Sequence, residues 1–123
     1  MSTPGQRFAA AIVSRDIEQF KSTVSNAVDF KGLTPGRFWE ASSPEEVVDV
    51  VLGTWFEESD HITGHEVSDG DDVADTHQVR YRFEITNDDG PHVVEQQVYY
   101  RADANDRIEY ARIVCSGYRP VGD

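Results

Sequence analysis

Val79, Tyr81, Phe83 and Ile85 alternate with Gln78, Arg80, Arg82 and Glu84. A period of two marks a half-buried β-strand, with the first set turned to a core and the second to water. A chain containing such a stretch must supply partner strands on its edges and a cover for its apolar face. Similar alternation recurs at about 61–68, 73–86, 92–102 and 107–117. The blocks are separated by turn-forming runs at Asp69-Gly70-Asp71-Asp72, Asn87-Asp88-Asp89-Gly90 and Ala104-Asn105-Asp106. This pattern predicts a long antiparallel meander.

Ahead of Asp60 the period is helical. From Thr3 to Val13, with Pro4 near the start, Phe8, Ala9, Ile12 and Val13 form one apolar stripe. Asp16 can cap a second helix whose face carries Ile17, Phe20, Val24 and Val28 and which ends near Asp29. The segment KGLTPGRFWEA reads as a turn leading to Phe38 and Trp39. Ser42-Ser43-Pro44-Glu45-Glu46 then combines an N-cap, a first-turn proline and acids at the positive end of a helix dipole. Val47, Val48, Val51, Leu52, Trp55 and Phe56 follow as its buried stripe. Three helices and a meander predict an α+β fold in which the helices cover one face of an antiparallel sheet.

Folding the strands back over their turns sets Ile85 near Val94, Phe83 near Gln96, Tyr81 near Val98 and Val79 near Tyr100. One further step brings Val98 beside Tyr110 and Gln96 beside Arg112. Gln96 and Arg112 are then polar groups on a mostly apolar inner face. A single bulge would reverse that assignment.

A length of 123 residues fits one domain, here taken as 1–123. The formal charge of −12, with no clustered Lys or Arg, argues against nucleic-acid binding. One cysteine, Cys115, excludes an internal disulfide and disfavours a cysteine-based metal cluster. No run reaches the roughly 20 apolar residues of a membrane helix, and MSTPGQRF lacks the pattern of a secretion signal, so a cytoplasmic location is expected.

Together FAAAIVSRDIEQF, NAVDFKG, the capped helix ending in GTWF, HITGHEVSDGDDVADTHQVRYRF and VYYRADANDRIEYARIVCSG resemble the nuclear transport factor two-like superfamily, nearest to its SnoaL-like branch. The resemblance implies a cone: a strongly curved antiparallel sheet wrapped around the helices, with an apolar cavity at its wide end. It also implies a homodimer through the outer sheet face. Fold alone does not select among dehydratases, isomerases, cyclases and inactive binding modules.

Dehydratase-like relatives carry a pocket tyrosine, an aspartate and a histidine. Setting Asp16 on their second aspartate puts Phe8 at the tyrosine and Val13 at the pocket aspartate, so both are missing, while His61 matches the histidine. His61 is therefore the candidate general base, without an evident orienting partner. His61 and His65 share a strand face at a spacing of roughly 13 Å, too far apart for a shared ion, and no metal site is expected. Asp69-Gly70-Asp71-Asp72 fails the EF-hand pattern. No cofactor-binding motif is present.

The aromatic residues remain. Trp39, Trp55, Phe56, Tyr81, Phe83, Val98 and Tyr110 could line a cavity for a flat apolar ligand, with Gln96 and Arg112 at its polar end. The leading reading is a domain that binds a small apolar or amphipathic molecule. The alternatives are a dehydratase, isomerase or cyclase-type enzyme using His61, and a protein-interaction module.

Overall fold

A computed structural model describes residues 3–121. Helix α1 (Pro4–Ser14) starts on a capping box in which the Thr3 hydroxyl accepts from Gln6 N and the Gln6 side chain accepts from Thr3 N. It buries Phe8, Ala9, Ala11 and Ile12. Helix α2 (Ile17–Ser22) is capped by Asp16, as its sequence suggested, but it stops well short of Asp29. Thr23 turns its hydroxyl back to Phe20 O at 2.7 Å, and the chain then enters strand β1 (Val24–Thr34). Val24 and Val28 fit a helical stripe by spacing, yet they are β-branched and bury equally well in a strand. Pairing on both edges of β1 decides the matter.

The segment after β1 is a hairpin rather than a bare turn, with β2 (Arg37–Ala41) folding back so that Leu33 faces Phe38 and Gly32 faces Trp39. Helix α3 (Pro44–Val50) has Ser43 as N-cap and Pro44 in its first turn. It runs into one π-helical turn over Val51–Trp55, closed by Phe56 N donating to Val51 O at 2.9 Å. The extra residue in a π turn shifts the face that follows, and both Trp55 and Phe56 are buried. The Arg15 guanidinium, carried at the left-handed end of α1 (φ 56°), donates to Leu52 O and Phe56 O and so ties this turn to the first helix.

Strands β3 (His61–Asp69), β4 (His77–Asn87), β5 (Gly90–Ala102) and β6 (Ile108–Cys115) form the expected antiparallel meander. A two-residue strand, β7 (Arg119–Pro120), pairs with β5. The sheet order is β2-β1-β6-β5-β4-β3, with β1 lying parallel to β6. The sheet is therefore mixed, a correction to the all-antiparallel expectation that follows from the missed strand β1. It curves around the helices and is open at its edges.

Three register details differ from the counted alternation. Between β3 and β4 the tip lies at Val73 to Thr76, which bond reciprocally at 2.8 and 2.9 Å, four residues beyond the acid-rich run expected to turn. Residues 73–76 therefore precede β4. Between β4 and β5 the Asn87–Gly90 turn is as expected, but the partners are two residues off: Phe83 faces Val94, Tyr81 faces Gln96 and Val79 faces Val98. A slip of two preserves the faces, so Val79, Tyr81, Phe83 and Ile85 are all buried. Between β5 and β6 the change is consequential. Ala102 faces Ile108, Glu109 is left over, and Arg101 faces Tyr110. That bulge flips β6, so Ala111 and Ile113 are buried inside while Tyr110 and Arg112 stand on the outer face.

The core gathers where α1 and α2 lie on the concave face. Phe8 and Phe20 meet at 5.0 Å between ring centroids, and a Cβ on Gly5 would stand 2.6 Å from the Tyr100 ring, so only glycine lets α1 settle this close to β5. Among the described residues no helix is long and apolar enough to cross a membrane.

Candidate functional site

A cavity of about 220 Å³ opens at the end of the sheet where the β1–β2 hairpin, the π turn and the segment after β6 converge. Trp39, Trp55, Phe56 and Val94 form its apolar walls, with Gln96 and Cys115 on adjacent strands and Tyr118 at one side. Larger concavities elsewhere are surface grooves whose linings carry several charged side chains. One of them, about 510 Å³, is lined by groups such as Arg80, Arg82, Glu95 and Gln97, and Gln96 also borders it. The smaller hollow is the one whose walls suit an apolar guest.

Each wall residue is placed by a local cause. Trp39 stands at 6.1 Å and nearly perpendicular to Trp55, and its indole N–H donates to Thr34 Oγ1 at 2.8 Å. Trp55 lies against Gly32, where a Cβ would come within 2.7 Å of the ring. Phe56 meets Phe83 edge-on at 5.6 Å, and Phe83 stacks on Tyr81 at 4.8 Å. Gly117, at φ 75°, turns the chain after β6 and leads to Tyr118.

Two phenols set the polar geometry. Tyr81 is buried and donates its hydroxyl to Gln96 Oε1 at 2.5 Å. Burial, followed by the neighbouring Cys115, pushes its pKa well above the ordinary value, so it remains a donor. Tyr118 contacts Asp60 Oδ2 at 2.9 Å and Trp55 O at 2.5 Å, both acceptors for its one hydrogen. Burial, followed by the hydrogen bond to Asp60, raises its pKa far above the usual phenol. Asp60 is itself buried and also accepts from Glu57 N at 3.0 Å and Asn87 Nδ2 at 2.9 Å. Its oxygens are engaged in holding the π turn, the end of β4 and Tyr118 together.

Of the residues singled out in the sequence, Trp39, Trp55, Phe56 and Gln96 do meet around this cavity. Tyr81, Phe83 and Val98 are buried behind it as core, Tyr81 acting on it through Gln96. Tyr110 and Arg112 are elsewhere. The Arg112 guanidinium lies over the Tyr110 ring at 4.1 Å and pairs with Asp29 at 3.2 Å on the outer face. Arg101 covers the same ring at 3.8 Å. His61 is exposed and faces Thr86 on the outer side of the sheet. A bulge at Thr63 also puts His61 and His65 on opposite faces, against the expectation that they share one. Among the described residues no group of three or more His, Cys, Asp or Glu is arranged to hold a metal ion.

Val94, Cys115 and Tyr118 were not anticipated. Val94 and Cys115 follow from the corrected registers opposite Phe83 and Gln96. The signal for Tyr118 was slight: a Ser-Gly pair that ends β6 and lets the next aromatic fold inward.

No family model matches the chain, and no curated protein matches it. Solved structures do. A proposed isomerase from Rhodopseudomonas palustris superposes with a TM-score of 0.74 at 16% identity, over 95% of this chain and 92% of that one. A ketosteroid isomerase-like protein from Erwinia carotovora atroseptica gives 0.67 at 22% identity, with the same coverage of 95% and 92%. A proposed SnoaL-like polyketide cyclase from Mesorhizobium loti gives 0.65 at 13% identity, over 89% and 94%. At such identities these likenesses establish the fold alone.

Proposed function

We propose that this chain, which has the cone fold of the nuclear transport factor two-like superfamily, binds a small apolar or amphipathic molecule in the cavity beside Tyr118. One observation carries the reading: aromatic walls surround a hollow in which a buried carboxamide, Gln96, leaves its Nε2 without a partner. A well-filled core would have closed over that site with apolar atoms, since an unmatched buried donor costs about 1–3 kcal/mol. At about 220 Å³ the space is smaller than the 300–1,000 Å³ usual for drug-sized ligands. An apolar cavity of about 150 Å³ takes benzene, so a single ring with a short substituent is the fitting guest.

An enzymatic role, in keeping with the names of the isomerase- and cyclase-like neighbours, would need an acid or base at the wall. His61 is exposed on the opposite side of the sheet, and among the described residues the titratable side chains at the cavity are Cys115 and Tyr118. Binding without turnover is thus the better-supported reading. Leu33, Phe38 and Val114 are exposed to about half and lie side by side through their strand pairings, which supports a homodimer through the outer sheet face. A cytoplasmic location belongs to the same proposal.

The test is a titration of toluene into the protein, followed by the fluorescence of Trp39 and Trp55. Saturable quenching that is lost in Cys115→Phe, whose ring fills the cavity and whose native fold is checked by circular dichroism, is the expected result. Quenching that never saturates, or that survives the filled cavity, would contradict the proposal.

A further inference from the structure

Resting on the binding reading above, we infer that the cavity selects a neutral ligand bearing a carbonyl oxygen, held by two N–H donors that the fold leaves open: Gln96 Nε2 and Trp55 Nε1. Among the described residues these two are the buried side-chain nitrogen or oxygen atoms that have no hydrogen-bond partner, and both residues line the same hollow. Gln96 is 2% exposed and Trp55 7%, so bulk water does not serve them.

The other polar side chains of the wall are already engaged. Thr34 Oγ1 accepts from Trp39 Nε1 at 2.8 Å and donates to Arg37 O at 3.4 Å. Thr54 Oγ1 donates to Asp49 O at 3.1 Å. Tyr118 is held by Asp60 and Trp55 O, and Cys115 Sγ accepts from Gly117 N at 3.4 Å. The buried side-chain nitrogen and oxygen atoms left without any partner among the described residues are thus both N–H donors, and what they offer a guest is hydrogen to donate. Its guest must bring acceptors.

The Tyr81 bond makes this arrangement directional. By occupying Oε1, the phenol fixes which end of the Gln96 carboxamide is spent, leaving the amide hydrogens for the hollow. The phenol stays protonated because it is buried, so the orientation is stable across ordinary pH. Among the described residues no Lys, Arg or His lines the cavity, and the chain carries a formal charge of −12, so an anionic acceptor would enter without a counter-charge. A ketone, lactone or ester meets the donors without that penalty.

Acetophenone and α-methylstyrene test this, since they share one skeleton and differ by C=O against C=CH2. Trp55→Phe deletes one donor and Gln96→Met the other, the latter together with the acceptor of Tyr81, and both keep the bulk of the wall. Expected is a loss of acetophenone affinity of roughly three- to tenfold in either variant, with α-methylstyrene affinity unchanged, measured by calorimetry. In the wild-type protein, the side-chain amide resonances of Gln96 should shift with acetophenone and stay in place with α-methylstyrene.

If both ligands bind but the variants affect them equally, ordered water alone satisfies the donors and the carbonyl selection is wrong, while the apolar-cavity reading stands. If neither ligand binds, the apolar-cavity reading has failed as well. Benzoate binding more tightly than acetophenone would overturn the neutral class.

Discussion

The Tyr81 hydroxyl and the Gln96 carboxamide oxygen lie 2.5 Å apart across neighbouring strands, a buried phenol paired with a buried amide in an otherwise apolar layer. In Tyr81→Phe the amide oxygen loses its donor and cannot reach water. A loss of about 1–3 kcal/mol is expected, read from the midpoint of urea unfolding with the slope unchanged. The amide is also freed to rotate, so the preference for acetophenone over α-methylstyrene should fall in the same variant.

Gly32 leaves room for Trp55. An alanine Cβ there would lie 2.7 and 2.9 Å from two atoms of the indole, so Gly32→Ala must push the ring toward the cavity. Overpacking of this kind costs about 1–3 kcal/mol. Thermal unfolding at a lower temperature and weakened toluene binding are expected together. A variant that binds toluene normally would mean the indole does not move into the hollow.

Asp60 joins three segments through Glu57 N, Asn87 Nδ2 and Tyr118. Asp60→Ala strands two of those donors in a partly buried site, for an expected cost of about 1–3 kcal/mol, whereas Asp60→Asn should cost less because it keeps acceptor capacity. Faster amide exchange confined to residues 56–60 and 117–119 would locate the damage at this junction.

Substitutions on the outer face should spare binding. Arg112 is partly exposed and its pair with Asp29 lies in high dielectric, so Arg112→Ala should cost under about 1 kcal/mol. His61→Ala should be near neutral. Affinity for acetophenone, measured by calorimetry, is expected to be unchanged in both.

Acid should destabilise the fold. Asp29, Glu46 and Asp103 are all held below their ordinary values of 3.8, 4.5 and 3.8. The foremost causes are the hydrogen bond from Arg112 for Asp29, the backbone N–H of Ser42 for Glu46 and the backbone N–H of Arg107 for Asp103. Because the folded values lie lower, the unfolded chain binds more protons in acid. The stabilisation is complete above about pH 4.5 and disappears as pH falls through the folded values. Unfolding free energy measured from pH 6 down to pH 2 should decline, and less steeply in Asp29→Asn and Asp103→Asn.

What the sequence disclosed follows from how local each signal is. The caps at Thr3, Asp16 and Ser43 are decided within a few residues, and so is the alternation of Val79 to Ile85; all were readable. Strand β1 was not, because Val24 and Val28 satisfy a helical period as well as a strand, and the choice is made by β6, more than seventy residues away. The site was half legible for the same reason. Bulky aromatics at Trp39, Trp55 and Phe56 announce an interior wherever they fall, whereas Arg112 and Tyr110 depend on one unpaired residue in the last hairpin. His61 likewise depends on the start of β3 and the bulge at Thr63.

That unpaired residue separates two kinds of tolerance. Upstream of Tyr110, the loop at 103–107 and Glu109 itself have no partner on β5, so losing Glu109 would straighten the strand and leave every later pairing in place. Past Tyr110, β6 is clamped between β5 and β1, and gaining or losing one amino acid there would turn the rest of the strand inside out. The most permissive stretch for insertion thus abuts the least permissive, with the boundary set at a single peptide bond.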